Sequence, residues 1–175
     1  MMEGKGREKK KHTFFILAEI YDPHHAMLTD AVNDALERHG KCLIIDGHSF
    51  NPRTVMKPDN LISRPDFDIG TDGYHTPPGL CAALCETVRA LGHGVKVNTP
   101  YGGAMVPMKF YRQEKNVISV MFEANRKLYM NEKTMTKTSG FPATRKVCHE
   151  LMRTAAQFVE ENWRDKFVEE NWRGS

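Results

Sequence analysis

Cys42-Leu43-Ile44-Ile45-Asp46 is an apolar run that ends in a carboxylate. A strand buried on both faces reads this way, with any chemistry carried at its tip. Its surroundings decide the fold. Upstream, Phe14 to Tyr21 reads as a short strand or a lead-in. Asp22-Pro23 then starts a helix, with Asp22 as cap and Pro23 in the first turn. Ala31, Val32, Ala35 and Leu36 recur at helical spacing, and Gly40 ends the helix. Downstream, residues 47–65 form a loop punctuated by Pro52, Pro58 and Pro65, and Asp66 to Gly70 is a second strand. Pro77-Pro78 opens a helix to about Leu91, with Leu80, Leu84 and Val88 on one face. Val95 to Asn98 is a third strand, and Val117 to Phe122 a fourth. A last helix starts near Phe141-Pro142 and turns Val147, Cys148, Leu151, Met152, Ala155, Ala156 and Val159 inward. Strands alternating with helices predict an α/β domain with a mainly parallel sheet flanked by helices. Ligands in such sheets bind at the carboxyl ends of strands.

The chain has 175 residues, 40% of them apolar and 27% charged. A chain of this size buries roughly 70% of its unfolded surface, enough for one core without disulfides. No apolar run approaches the ~18 residues of a membrane span. The run Phe14 to Ala18 falls short of the at least about 7 residues of a signal-peptide core, so a cytoplasmic location and no membrane partner are expected. Cys42, Cys81, Cys85 and Cys148 are too few and too scattered for a disulfide framework. They read as reduced, small apolar side chains.

The net charge of +3 comes from Lys5, Arg7, Lys9, Lys10 and Lys11, set against Glu3 and Glu8. Residues 1–12 are therefore expected to be a basic, disordered tail, followed by a domain at 13–164, and the residues after the tail are neutral as a whole. A nucleic-acid partner would rest on that tail alone, and the neutral body argues against one. At the C-terminus FVEENWRDK (158–166) is followed by FVEENWRGS (167–175). In a continuous helix nine residues make two and a half turns at about 100° each, so Phe167 and Trp172 would face away from the core stripe. Residues 165–175 read as a duplicated tail, not a functional element.

Several polar groups fall at expected strand ends. Asp46 and His48 lie two apart, on one side of an extended chain. A carboxylate beside a histidine can orient the ring for metal binding; a hydrogen-bonded polar turn uses the same residues. Glu123 leaves an apolar strand, where desolvation raises a carboxyl pKa towards that of a general base; an ion pair with Arg126 is the alternative. Asn125 and Arg126 suit a substrate carboxylate, since a guanidinium offers it a planar fork, and also suit a surface ion pair. Tyr101-Gly102-Gly103 permits close backbone approach to a ligand, or makes a plain turn. Thr71-Asp72-Gly73-Tyr74-His75-Thr76 offers Asp72 and His75 as further candidates and Thr76 as a helix cap.

Taken together, these motifs resemble one family. Leu43-Ile44-Ile45-Asp46-Gly47-His48-Ser49-Phe50, Arg64-Pro65-Asp66-Phe67-Asp68-Ile69-Gly70-Thr71, Asn98-Thr99-Pro100-Tyr101-Gly102-Gly103 and Met121-Phe122-Glu123-Ala124-Asn125-Arg126-Lys127-Leu128-Tyr129-Met130 resemble the N-formylglutamate amidohydrolase family in order. Tyr21-Asp22-Pro23-His24-His25 adds a fifth match, and the resemblance runs from about Tyr21 to Trp163. It implies a zinc-carboxypeptidase-like (phosphorylase/hydrolase-like) α/β fold. It also implies hydrolysis of N-formyl-L-glutamate, or a similar N-acyl amino acid, to formate and glutamate, as in histidine breakdown. By position, His48 is implied as a zinc ligand with Asp46 behind it, and Glu123 as the general base. Asn125, Arg126, Tyr101, Gly102 and Thr71 are implied on the substrate side. The family's upstream proline–histidine–serine–glycine segment and its acidic residue, source of the other zinc ligands, have no counterpart before Asp46. An N-terminally truncated member is therefore expected. A non-catalytic remnant that binds a small carboxylate or a protein partner is the alternative function.

Overall fold

The computed structural model describes residue 15 and residues 17–52 and 64–172. The expected tail at 1–12, Pro58, and residues 173–175 of the repeat lie outside the described residues. So do the side chains of Phe167 and Trp172. Among the described residues no helix is long and apolar enough to cross a membrane.

The elements follow the expected order. Helix α1 spans Asp22–His39, β1 Cys42–Phe50 and β2 Phe67–Gly70. Helix α2 spans Pro78–Ala90, β3 Val95–Val97 and β4 Val117–Asn125. Short strands β5 (Met130–Asn131) and β6 (Thr136–Lys137) pair antiparallel, and α3 covers Phe141–Trp172. The chain divides into two compact units, residues 1–42 with 106–117 and residues 43–105 with 118–175.

In the first unit, a π-helical turn at Leu17–Tyr21 leads directly into α1. Tyr21 is already helical, so Asp22 makes no capping hydrogen bond and Pro23 alone marks the first turn. Gly40 closes the helix at φ 69°, a left-handed conformation that glycine adopts without a Cβ penalty, and its N–H reaches the Leu36 carbonyl. Of the apolar residues expected to face inward, Val32 is buried and Ala31 is exposed.

The second unit holds the main core. Leu80, Leu84, Cys85 and Val88 of α2 pack with Val147, Leu151 and Ala155 of α3 against Phe67 and Ile69 of β2 and Val120, Phe122 and Ala124 of β4. The inner stripe of α3 is narrower than its sequence suggests. It repeats every fourth residue, while Met152 and Ala156 are exposed. A hydroxyl pair, Thr87 with Thr154 at 2.9 Å, joins the two helices.

The four-stranded sheet has the order β1-β4-β2-β3. β2 and β3 run parallel. Cys42 N–H donates to the Asn116 carbonyl at 2.9 Å, and at the other ends Arg126 donates to Ser49, so β1 and β4 run the same way. β4 is antiparallel to β2, with Phe67 opposite Ala124, Asp68 opposite Glu123 and Gly70 opposite Met121. The sheet is thus a mixed one, mainly parallel, and flanked by helices. Two expectations change. β1 and β4 run on to Phe50 and Asn125, which puts His48 and Glu123 inside strands instead of loops. The carboxyl ends of β2 and β4 lie at opposite ends of their ladder, so the polar strand tips do not share one edge.

Asp66 ties one end of this ladder together. Its carboxylate accepts from Gly94 N–H at 3.1 Å and pairs with Lys127 at 3.0 Å and His93 at 3.5 Å. Burial raises its pKa, but the Gly94 amide, Lys127 and His93 outweigh this and hold it below the usual carboxylate value. A lowered carboxyl pKa stabilises the fold above the unfolded value, about 3.9, and this stabilisation is lost as pH falls through the folded value. Asp66→Asn should lower urea stability by about 1 kcal/mol at pH 7. The gap from the wild type should narrow as pH falls below the usual carboxylate range.

Candidate active site

Strand alternation sorts the side chains of the second unit onto two faces. Leu43 and Ile45 of β1, Phe67 and Ile69 of β2, and Val120, Phe122 and Ala124 of β4 face the core. Their neighbours Asp46 and His48, Asp68, and Ser119, Met121, Glu123 and Asn125 face the other way. Three carboxylates and a histidine thus share a face that the sequence had spread over 78 positions, from Asp46 to Glu123 inclusive.

His48 Nε2 lies 2.8 Å from Asp46 Oδ1, with the ring half-exposed and the carboxylate largely covered. The two side chains meet as their spacing predicts, a contact that fits both the metal-orienting and the polar-turn reading. Glu123 is 7% exposed. Among the described residues its Oε2 is buried without a hydrogen-bond partner. Burial chiefly pushes its carboxyl up; the charges of Asp68 and Asp46 add to this, while His48 and Arg126 oppose it. The alternative ion pair with Arg126 is not formed. That guanidinium donates to Ser49 Oγ at 3.1 Å and to the Ser49 carbonyl at 3.2 Å, and lies 3.4 Å from Glu132. A buried carboxyl oxygen without a partner is costly to the fold, and a raised carboxyl pKa suits a base.

The other candidates separate into two groups. Asn125 is fully buried. Its amide donates to the Pro65 carbonyl at 3.0 Å and accepts from Lys127 N–H at 3.2 Å, so it builds the turn after β4 and presents no surface to a ligand. Thr71 and Asn98 bond each other twice: Thr71 N–H to Asn98 Oδ1 at 2.9 Å, and Asn98 Nδ2 to Thr71 Oγ1 at 2.8 Å. A Cβ on Gly102 would press on the Asn98 side chain, 3.2 Å from its Oδ1. Tyr101 is partly exposed, with its ring centroid 6.1 Å from that of Phe50. Thr71, Tyr101 and Gly102 therefore belong to one tied segment beside the carboxylates.

Asp72 and His75 serve the loop. Asp72 Oδ1 accepts from Tyr74 N–H at 2.8 Å and from His75 N–H at 3.0 Å, and His75 is buried. Thr76 does not cap α2, whose capping position is Pro77. Its hydroxyl accepts from Asp72 N–H at 2.9 Å and donates to the Ser119 carbonyl of β4 at 2.6 Å. The four cysteines are unpaired. Burial, together with Cys85, pushes Cys81 up to about 11, so it is not a thiolate nucleophile at neutral pH.

Asp68 was missed by the motif reading. It is fully buried, faces Glu123 across the ladder and accepts from two backbone N–H groups, those of Thr99 and Tyr101, each at 2.9 Å. The available signal was a carboxylate in the middle of an otherwise apolar strand. Gly70, two residues on, lets the same segment approach. A Cβ there would collide with the Gly103 carbonyl and the Met121 side chain. Gly70→Ala should therefore cost about 1–3 kcal/mol, read from urea unfolding midpoints.

A catalytic zinc site usually takes three protein ligands. Among the described residues no three His, Cys, Asp or Glu side chains converge as a metal ion needs. The Asp46–His48 pair offers the beginning of such a set but does not complete it. A hollow of ≈ 340 Å³ lies beside Ala124 and α3, lined by His48, Ser49, Phe141 and Arg145 among others but not by Glu123.

Comparison with known proteins places the chain among relatives. A sequence model of a family described as N-formylglutamate amidohydrolase matches residues 9–130. Over 152 residues the chain is 27% identical to an N-formylglutamate deformylase of Pseudomonas aeruginosa, covering 84% of this chain and 56% of that protein. The crystal structure of an N-formylglutamate amidohydrolase from Ralstonia eutropha superposes with a TM-score of 0.69 at 28% identity, covering 86% of this chain and 55% of that one. A gene product of Agrobacterium tumefaciens shares the fold, with a TM-score of 0.59 at 21% identity, covering 84% and 54%. The chain therefore spans little more than half the length of these relatives.

Proposed function

Since the chain belongs to the N-formylglutamate amidohydrolase family, we propose that its buried Glu123 face hydrolyses the formamide bond of N-formyl-L-glutamate or a similar N-acyl amino acid. The observation that carries this reading is the orphaned Oε2 of Glu123, held beside the Asp46–His48 pair. Water supplies the nucleophile. Glu123 takes a proton from it as its oxygen bonds to the formyl carbon, then passes that proton to the leaving nitrogen as the C–N bond breaks. Formate and the free amino acid result. Tyr101, Gly102 and Thr71 form the wall on the substrate side, and Arg126, anchored on Ser49, contributes positive charge near an anionic substrate.

Zinc enters this reading as an expectation from the family resemblance, with His48 as ligand and Asp46 orienting its ring. The described residues do not complete the donor set, so no step above passes through a metal. A cytoplasmic place of work also belongs to the proposal, supported by the four unpaired cysteines. The test is formate release from N-formylglutamate by the purified, folded chain, with and without added zinc. Turnover is expected; none under either condition would sink the hydrolase reading.

The absence of a three-donor cluster among the described residues favours a second reading, a non-catalytic family member that binds a small carboxylate. Stabilisation in thermal shift by glutamate, without turnover of N-formylglutamate, would select it.

A further inference from the structure

We propose that Asp68 is a positioning residue whose two carboxylate oxygens hold the Thr99–Tyr101 segment as the substrate-side wall of the Glu123 face. This rests on the reading under Proposed function for the word substrate, and on the geometry alone for the holding role.

Asp68 lies in the middle of β2 with no exposed surface. A buried carboxylate loses its hydration, and hydrogen bonds offset that cost. Here the compensation is specific: Oδ1 accepts from Thr99 N–H and Oδ2 from Tyr101 N–H, both at 2.9 Å. One oxygen is therefore spent on each side of Pro100, a residue with no N–H of its own. A bidentate acceptor placed this way fixes both the position and the tilt of the segment between its two donors.

The neighbouring contacts hold only the flanks. Asn98 N–H donates to the Ile69 carbonyl at 3.0 Å, and the Asn98 side chain is locked to Thr71. Gly103 lies against Gly70. Between these anchors, Thr99 and Tyr101 are held by Asp68. Because Asp68 also stands directly opposite Glu123 in the ladder, the same side chain sets the distance between that wall and the reacting carboxyl. Opposed residues in an antiparallel pair have Cβ atoms about 4.5–5.5 Å apart.

Two roles for Asp68 differ in their kinetic consequence. If Asp68 acted mainly on the chemistry of Glu123, its loss would lower kcat. If it holds the wall against which substrate rests, its loss weakens binding and leaves the chemical step nearly intact. The geometry points to the second, because both Asp68 oxygens are committed to backbone amides of the wall.

The experiment needs no variant to begin. In the unmodified chain, amide hydrogen exchange at Thr99 and Tyr101 should be at least about 10-fold slower than at Gly102 and Gly103. Asp68→Asn keeps the shape but offers one acceptor oxygen and a repelling NH2 in place of the other. It should erase much of that protection and raise KM for N-formylglutamate about 10-fold, with kcat within about 3-fold of wild type. Thr99 and Tyr101 amides as labile as the two glycines, or an unchanged KM, would overturn the proposal. So would a loss confined to kcat. Should the wild-type chain release no formate while these amides are protected, the hydrolase reading falls and the holding role of Asp68 stands.

Discussion

Glu123→Gln is expected to lower kcat/KM for N-formylglutamate by about 100-fold or more while leaving the protein at least as stable as before at pH 7. The first half follows from role. A glutamine of the same length cannot accept the proton of the attacking water, and a positioned general base is worth about 10²–10⁴ in rate. The second half follows from burial. Glu123 is 7% exposed and its Oε2 has no partner among the described residues. Desolvation first, then the charges of Asp68 and Asp46, raise its carboxyl pKa. A carboxyl raised above its unfolded value, about 4.3, favours the fold while it is protonated. That stabilisation is lost as pH rises through the folded value. At neutral pH the substitution therefore removes a carboxyl whose ionised form the site disfavours, and its stabilising effect should shrink as pH falls below the carboxylate range. Steady-state formate release and thermal unfolding at pH 7 and pH 4 measure both halves. A variant that unfolds more readily and retains activity would show that Glu123 is a structural group and that the reacting carboxyl lies elsewhere.

Leu151→Ala is expected to lower stability by about 2–5 kcal/mol, read from urea or thermal unfolding. Leu151 has no exposed surface and sits where α3 meets α2 and the sheet. Its removal leaves a cavity in the cluster that also holds Leu84, Val88 and Phe67, all fully buried, and such a packed space collapses only in part. Met152, the next residue and 41% exposed, serves as the control. Met152→Ala should stay within about 0.5 kcal/mol of wild type. Equal effects at the two positions would mean that α3 packs on a different face.

Much of this was legible in the chain itself. Pro23 and Gly40 bound α1, Pro78 and Gly92 bracket α2, and Phe141 opens α3, because proline geometry and glycine freedom act within a turn of where they stand. The spacing of Asp46 and His48 predicted a shared face, and the structure has them in contact at 2.8 Å. The apolar run before Glu123 predicted a desolvated carboxyl, and its pKa is raised. Other readings failed for a common reason. Asp22 and Thr76 look like helix caps, but the π turn before α1 had already started that helix and Ser119 of β4 claimed the Thr76 hydroxyl. Arg126 stands three residues from Glu123 yet binds Ser49, because the parallel run of β1 beside β4 brings Ser49 to it.

The sequence by itself therefore determined the helices, the strand cores and the family, since all of these depend on side-chain order over short windows. Only the tertiary structure decided that β4 runs antiparallel to β2, that Asp68 stands opposite Glu123, and that Asn125 is consumed in a turn. Strand direction and register are set by backbone hydrogen bonds between segments far apart in the chain. Every residue but proline carries the same N–H and C=O for those bonds, so side-chain order alone does not specify which carboxylate will face which.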